Sequence, residues 1–264
     1  MLEVLTTKNV RVDLFEKSYS LTTTQLKIYS APLINALQEV VHYWPGTSLL
    51  RNPVIFSKPY SLLGHHIDAL KCYKNNHPAC HSPEFTEACN DHIDVLLDFL
   101  DKEFGDELRL ERARYQKTPP TATFENLWMM FKPGQDVYIK AQENQPATPL
   151  TVGSIHCLPP EFLQISGWGV NCNGREIRPQ LRGAVIKPFD GEKEIFSLEA
   201  YPKEFHDKPD YEQELQKRGQ RYWEFCDPAY RQYHGTTIAD ENHSRIEVCA
   251  EILGFRPLCF QFHS

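Results

Sequence analysis

The sequence lacks most of the patterns that announce a function. It has no Gly-x-x-x-x-Gly-Lys-Ser/Thr loop, and so no backbone cradle with its lysine for nucleotide phosphates. It has no Gly-x-Ser-x-Gly elbow to raise a serine nucleophile. No apolar run reaches the length of a membrane span. The opening Met1-Leu-Glu-Val-Leu-Thr-Thr-Lys8 has no basic segment ahead of a long apolar core, which predicts no secretory leader and an intracellular protein, cytoplasmic or nuclear. Positive charge is not in excess. With 28 basic and 35 acidic residues the formal net charge is −7, which removes nucleic acid as a default partner because little counterion release is on offer. There is no internal repeat and no low-complexity tract.

What is present is ordinary globular composition, 41% hydrophobic and 24% charged, enough for one large core or two modest ones. The eight cysteines are scattered from Cys72 to Cys259. In a chain this long without a leader they read as free thiols.

The stretch Phe124–Ile139 divides the chain. Before it the apolar residues recur with a helical period, and after it they alternate. Residues 1–29 alternate loosely (Val4, Val10, Val12, Leu14, Leu26, Ile28), as strands or extended arms do, with Leu21-Thr-Thr-Thr24 as a turn. Ser30 ahead of Pro32 predicts a capped helix with Leu33, Leu37, Val40 and Val41 on one face, stopped by Pro45-Gly46. A second helix is expected from Ser61, with Leu63, Ile67 and Leu70 inward and His66 on the same face. A third begins at Ser82-Pro83, carries Phe85, Cys89, His92, Leu96, Phe99 and Leu100 on its stripe, and should end at Gly105. Residues 106–117 mix charges as a solvated helix leading away, and Thr118-Pro-Pro-Thr121 breaks the chain.

Within the dividing stretch, Thr123 is placed to cap a short helix, Leu127, Trp128 and Phe131 to bury against the helical half, and Pro133-Gly134 to turn the chain into a sheet. Strands are then expected at Val137–Ile139, Leu150–Ile155, Phe162–Val170, Arg182–Lys187 and Glu194–Tyr201, with turns at Asn171–Gly174 and Asp190-Gly191. Five short antiparallel strands predict a strongly bent sheet or a small SH3-like barrel. A helix over 209–226, strands near Gly235–Ile238 and Ile246–Ile252, and an apolar tail from Phe255 complete the chain. The fold class is therefore α+β: a helical region with an extended arm over 1–118, and a β-rich region over 119–264, either separate or integrated into one domain.

Three constellations carry chemistry. His77-x-x-Cys80 and Cys89-x-x-His92 supply four ligands of the kind zinc takes tetrahedrally. Cys89 and His92 serve equally well as core residues of the third helix, and no knuckle glycine is present, so no metal site is assigned. His156 adjoins Cys157, but strand neighbours point to opposite faces. His206-Asp207 follows a strand end, where an imidazole bonding backbone organises a turn. An unrecognised hydrolase built on His156 or His206 is thus an alternative without a complete signature, and no catalytic residue or cofactor is assigned. The aromatics Trp128, Trp168, Tyr222, Trp223, Tyr230 and Tyr233 suit either a core or a peptide-binding groove. Lys217, Arg218, Arg221 and Arg231 suit either a solvated helix face or an acidic partner. Trp168, Trp223, Tyr233, Arg218 and Arg221 are the candidate interaction residues.

An ordered series of short motifs adds to this. Phe124-Glu-Asn-Leu-Trp128, Phe131-Lys-Pro-Gly134, Val137-Tyr138, Phe189-Asp-Gly191, Leu198, Ala200-Tyr-Pro202, His206-Asp207, Arg218-Gly219, Tyr222-Trp223 and Tyr233-His-Gly235, with His65-His66 ahead of them, resemble the domain of unknown function that precedes the ATPase module in filamentous-fungal AAA-type ATPases. The likeness spans roughly residues 25–252. It implies an accessory domain that engages a protein substrate or partner, such as an AAA-type ATPase or its substrate, with no catalytic residues to transfer. Residues 1–264 hold no phosphate-binding loop, so ATP hydrolysis is not part of what the resemblance implies here. A small zinc-bearing interaction module is the other alternative.

Overall fold

The structure is a computed structural model and describes residues 2–14, 17–140, 147–158, 162–172, 176–224, 231–233 and 248–250. The alternation at the start of the chain becomes a hairpin of β1 (Leu2–Leu14) and β2 (Lys17–Ile28), to which β3 (Val54–Ser57) adds along Gln25–Ile28. Leu21–Thr24 lies inside β2 and is no turn. The register shifts opposite it, between Thr7 and Val10, where two residues of β1 face Thr22 as a bulge.

The helices follow their caps. In α1 (Ala31–Val40) the Ser30 hydroxyl accepts from the Leu33 N–H. α2 (Ser61–His65) and α3 (Ile67–Tyr73) replace the single second helix, breaking at His66. That imidazole is buried, and its Nδ1–H donates to the Leu62 carbonyl at 2.7 Å. α4 (Pro83–Tyr115) starts at its serine cap but does not stop at Gly105. It kinks at Phe104 (φ −153°, ψ 18°) and continues. Arg109 clamps the kink by bonding both Asp101 and Asp106, and the bend keeps Phe104 in the core, edge-on to Trp128 at 5.5 Å.

After β4 (Thr121–Thr123) the dividing stretch forms a short 3-10 helix, Phe124–Met129. The Thr123 side chain does not cap it. Its hydroxyl and backbone N–H instead both donate to Glu111, each at 2.9 Å. Glu111 is fully buried and also takes the Arg114 guanidinium at 2.7 Å. The segment expected to lead away as a solvated helix therefore returns a carboxylate to the junction. Arg114 and Lys117 also bind Glu192, so the end of α4 is tied to β9 (Glu192–Glu194), the partner of β4.

Gly134 (φ +84°) turns the chain into the sheet. β5 (Asp136–Ile139), β6 (Thr148–Leu158), β7 (Phe162–Cys172), β8 (Ile177–Ile186) and β10 (Ala200–Pro202) pair in the order β10-β5-β6-β7-β8, antiparallel throughout. The strand expected over Glu194–Tyr201 is split by a 3-10 turn at Ile195–Ser197. The hydrogen-bonded ladder does not close into a barrel. Its edges β8 and β10 approach within 8 Å without pairing, so the bent sheet is the form adopted. α5 (Tyr211–Glu224) follows, then a small pair of β11 (Arg231–Tyr233) and β12 (Val248–Ala250). Most of the Asn171–Gly174 turn, the strand expected at Gly235–Ile238 and the tail from Phe255 lie outside the described residues.

Two apolar clusters form. The first joins β2, β3 and α1–α4, and the second joins the sheet to Leu127, Met130 and Phe131. The dividing stretch feeds both, since Trp128 belongs to the helical cluster while Leu127 and Phe131 belong to the sheet cluster. The indole lies on Gly64 so closely that an added Cβ would sit 2.9 Å from Cζ3. His65 packs edge-on to it at 6.2 Å, and its Nε2–H donates to the Trp128 carbonyl at 2.9 Å.

Three outcomes follow from this junction. Trp128→Ala should lose about 3–5 kcal/mol of unfolding free energy in a urea titration. Glu111→Ala leaves the Thr123 N–H and hydroxyl without their acceptor and Arg114 with Glu192 alone, and should cost about 1–3 kcal/mol. Burial pulls the His65 imidazole down to about 4. Its folded pKa lies below the unfolded one, so the unfolded chain holds the proton more tightly. Stability from this group is then full above about pH 6.5 and declines as pH falls toward about 4, by about 3 kcal/mol in total. Urea titrations at stepped pH check this: His65→Gln should remove this group's share of the slope and leave the smaller part due to His66 and His206, which burial also lowers.

Candidate functional site

The pairing register sorts the sheet into two faces. Val137, Leu150, Val152, Leu163, Ile165, Ile186 and Ala200 share one face and fill the sheet cluster. Tyr138, Tyr201, Thr151, Trp168, Val170, Leu181 and Val185 share the other, because Tyr138 pairs with Tyr201, Thr151 with Trp168, and Trp168 with Leu181. This second face is covered unevenly.

Over β10 and β5 it is closed by His206 and α5. The His206 ring stacks on Tyr211 at 4.0 Å and meets Tyr138 edge-on at 5.2 Å. Its Nδ1 accepts the Lys208 N–H at 3.1 Å, which is the turn-organising role expected of it, and burial lowers its pKa. Tyr211 donates its hydroxyl to the Ala147 carbonyl at 2.7 Å, and Arg218, two turns on, reaches the same oxygen at 3.4 Å. Ala147 immediately precedes β6, so Tyr211 and Arg218 both reach the start of that strand.

Over β7 and β8 the face is open. Trp168 is 40% exposed and Leu181 87%, and Val170, Ile177 and Val185 are exposed beside them. All five lie on one face by register. These apolar side chains are gathered on one open sheet face rather than scattered singly, which sets the face apart from the rest of the exposed surface.

Of the residues singled out in the sequence, Trp168 lies on this open face, and Arg218 and Arg221 are exposed one turn apart on α5. Trp223 is exposed at the end of α5, with no ring contact among the described residues. Tyr233 pairs with Val248 in β11, away from the five-stranded sheet in pairing order; its side chain lies outside the description. The structure thus brings Trp168 and Arg218 to the same side of one sheet. Sequence reading missed Val170, Ile177, Leu181 and Val185. The signal was the alternation Ile177, Pro179, Leu181, Gly183, Val185 against Arg178, Gln180, Arg182, which begins before the Arg182 start expected for that strand.

Most members of the chemical constellations are engaged in local packing or hydrogen bonds. The His77 Nε2–H donates to Asn90 Oδ1 at 2.9 Å, Cys80 is exposed, the Cys89 thiol points at the Pro32 carbonyl, and His92 shares a hydrogen bond with Ser30 at 2.7 Å. Those four ligands therefore do not converge, and among the described residues no group of three or more His, Cys, Asp or Glu forms a metal-sized site. His156 is exposed and Cys157 faces inward against both clusters. Burial raises that thiol to about 11, which keeps it protonated and a poor nucleophile. An open depression beside α4 is lined by His77, His81, Glu87, Asn90 and Asp91. Among the described residues no helix is long and apolar enough to cross a membrane.

No curated protein and no solved structure matches the chain. Residues 112–207, from the last turn of α4 through the sheet to His206-Asp207, match the family model of a domain of unknown function, DUF7025.

Proposed function

We propose that the chain is a non-enzymatic interaction domain that recruits a protein partner through the open β7–β8 face. The observation that carries this is the gathering of Trp168, Val170, Ile177, Leu181 and Val185 on one uncovered side of the sheet. The nucleophiles and imidazoles nearest it are occupied in packing and backbone bonds. The motif series resembling the domain ahead of fungal AAA-type ATPases supports an ATPase, or a substrate handed to one, as the partner. The four described cysteines that are free thiols support an intracellular setting. The formal charge of −7 supports a protein rather than nucleic acid as the partner.

The test uses the full chain as bait in an extract of a filamentous fungus, with chemical cross-linking and identification of what is captured. Wild type should capture a defined protein, and Trp168→Ala should reduce its recovery about tenfold with the circular dichroism spectrum unchanged. Recovery of no partner, together with turnover of a small substrate by the purified chain, would sink the reading.

A further inference from the structure

Two imidazoles tie the connection between α3 and α4 to the first turns of α4. The His77 Nε2–H donates to Asn90 Oδ1 at 2.9 Å, and the ring meets Tyr73 edge-on at 4.7 Å. His81 packs edge-on to Phe85 at 4.6 Å. The two imidazole centres are 5.8 Å apart, and both rings line the depression beside α4. Each Nδ1 is buried and has no hydrogen-bond partner. Of the buried side-chain atoms without a partner among the described residues, only these two lie on paired rings. Buried polar atoms are nearly always satisfied, so two unpaired nitrogens side by side point to a ligand.

The tautomer narrows what that ligand is. His77 gives its proton from Nε2, so its Nδ1 holds a bare lone pair. An imidazole held from behind by an oxygen acceptor is the arrangement that orients a metal ligand. The spacing agrees. A Zn–N bond of about 2.1 Å puts the metal about 3.2 Å from a ring centre, so two rings on one metal have centres at most about 6.4 Å apart. His77 and His81 fall inside that limit.

A third donor stands nearby. Glu87 lines the same depression on α4, between Phe85 and Asn90, the two residues that hold the rings. Its carboxylate is exposed and forms no ion pair among the described residues. Asp91, one turn on, adds a second negative charge.

We propose that His77 and His81 bind zinc(II) through their Nδ1 atoms, with the Glu87 carboxylate swinging in as third ligand and water completing the shell. The carboxylate has to rotate to arrive, in keeping with the lack of a ready-made group of three among the described residues. Imidazole nitrogens favour zinc over calcium and magnesium, which take oxygen. The metal cross-links residues 77–81 to α4 and stabilises the helical half by mass action. This site is independent of the open sheet face and of any protein partner.

The probe is zinc chloride titrated calorimetrically into the full chain. The eight cysteines also attract zinc, so differences between variants decide the outcome. Wild type should bind one equivalent that the double variant His77→Gln/His81→Gln lacks, and zinc should raise the melting temperature of wild type only. Asn90→Ala removes the oxygen behind His77 and should weaken that equivalent about 10–100-fold. Glu87→Gln removes a ligand and should cost at least as much. In nitrogen NMR the Nδ1 signals of two imidazoles should move on adding zinc, and both should be missing from the double variant. Circular dichroism of each variant without metal should match wild type, since all these side chains lie at the surface of the depression. Equal zinc uptake by wild type and the double variant, displacement of that equivalent by calcium, or indifference to Glu87→Gln overturns the proposal. With cobalt(II) in place of zinc, a thiolate charge-transfer band that disappears in the double variant also overturns it, because the ligand set then includes a cysteine.

Discussion

The seating of one indole holds the two halves of this protein in register. Trp128 lies on Gly64, edge-on to Phe104 and His65, inside the helical cluster, while Leu127 and Phe131 on either side of it enter the sheet cluster. The 3-10 helix Phe124–Met129 serves two cores because the successive side chains of Leu127 and Trp128 leave it in different directions. The buried Glu111 reinforces the same joint from α4, since its carboxylate satisfies the N–H and hydroxyl of Thr123 at the head of that helix. A buried charge of this kind adds more to geometry than to net stability. Here it fixes the angle at which the chain leaves α4 for the sheet.

With that joint fixed, one sheet face fills the core, and the other joins it only at Tyr138 and Tyr201, under His206 and Tyr211. α5 covers only part of that second face. The aromatic group of Tyr138, Tyr201, His206 and Tyr211 anchors the helix over β5 and β10, which leaves β7 and β8 with apolar side chains in solvent. Leaving such a face in water forgoes about 25 cal/mol for each Å² of apolar surface.

Much of this was legible in the chain itself. Ser30 and Ser82 marked helix starts because a hydroxyl followed by proline suits the first turn and little else. The β-rich half was legible from alternation, and His206 from its place after a strand. The failures have physical causes. Gly105 did not end its helix because Arg109 and the Phe104–Trp128 contact hold the chain helical beyond the kink. Leu21–Thr24 did not turn because it pairs with β1 on both sides of a bulge that places Lys8 and Asn9 opposite Thr22. The His77, Cys80, Cys89 and His92 spacing suggested a shared ligand set, but His92 and Cys89 turn to the start of α1, a partner more than fifty residues away that no spacing rule can reveal.

The sequence by itself determined the local choices: where helices start, which segments alternate, that no phosphate loop is present, and that Phe124–Ile139 divides the chain. These depend on neighbours within a turn or a strand, and short-range sterics and hydrogen bonding decide them. Only the tertiary structure decided which core each residue of the dividing stretch joins, that Glu111 is buried, and that Trp168 lies beside Leu181 on an open face while Tyr138 lies beside Tyr201 under a helix. Each of these depends on strand register and on where α5 comes to rest. Both are fixed by packing between residues far apart in the chain, where a shift of one position would exchange the covered face for the open one.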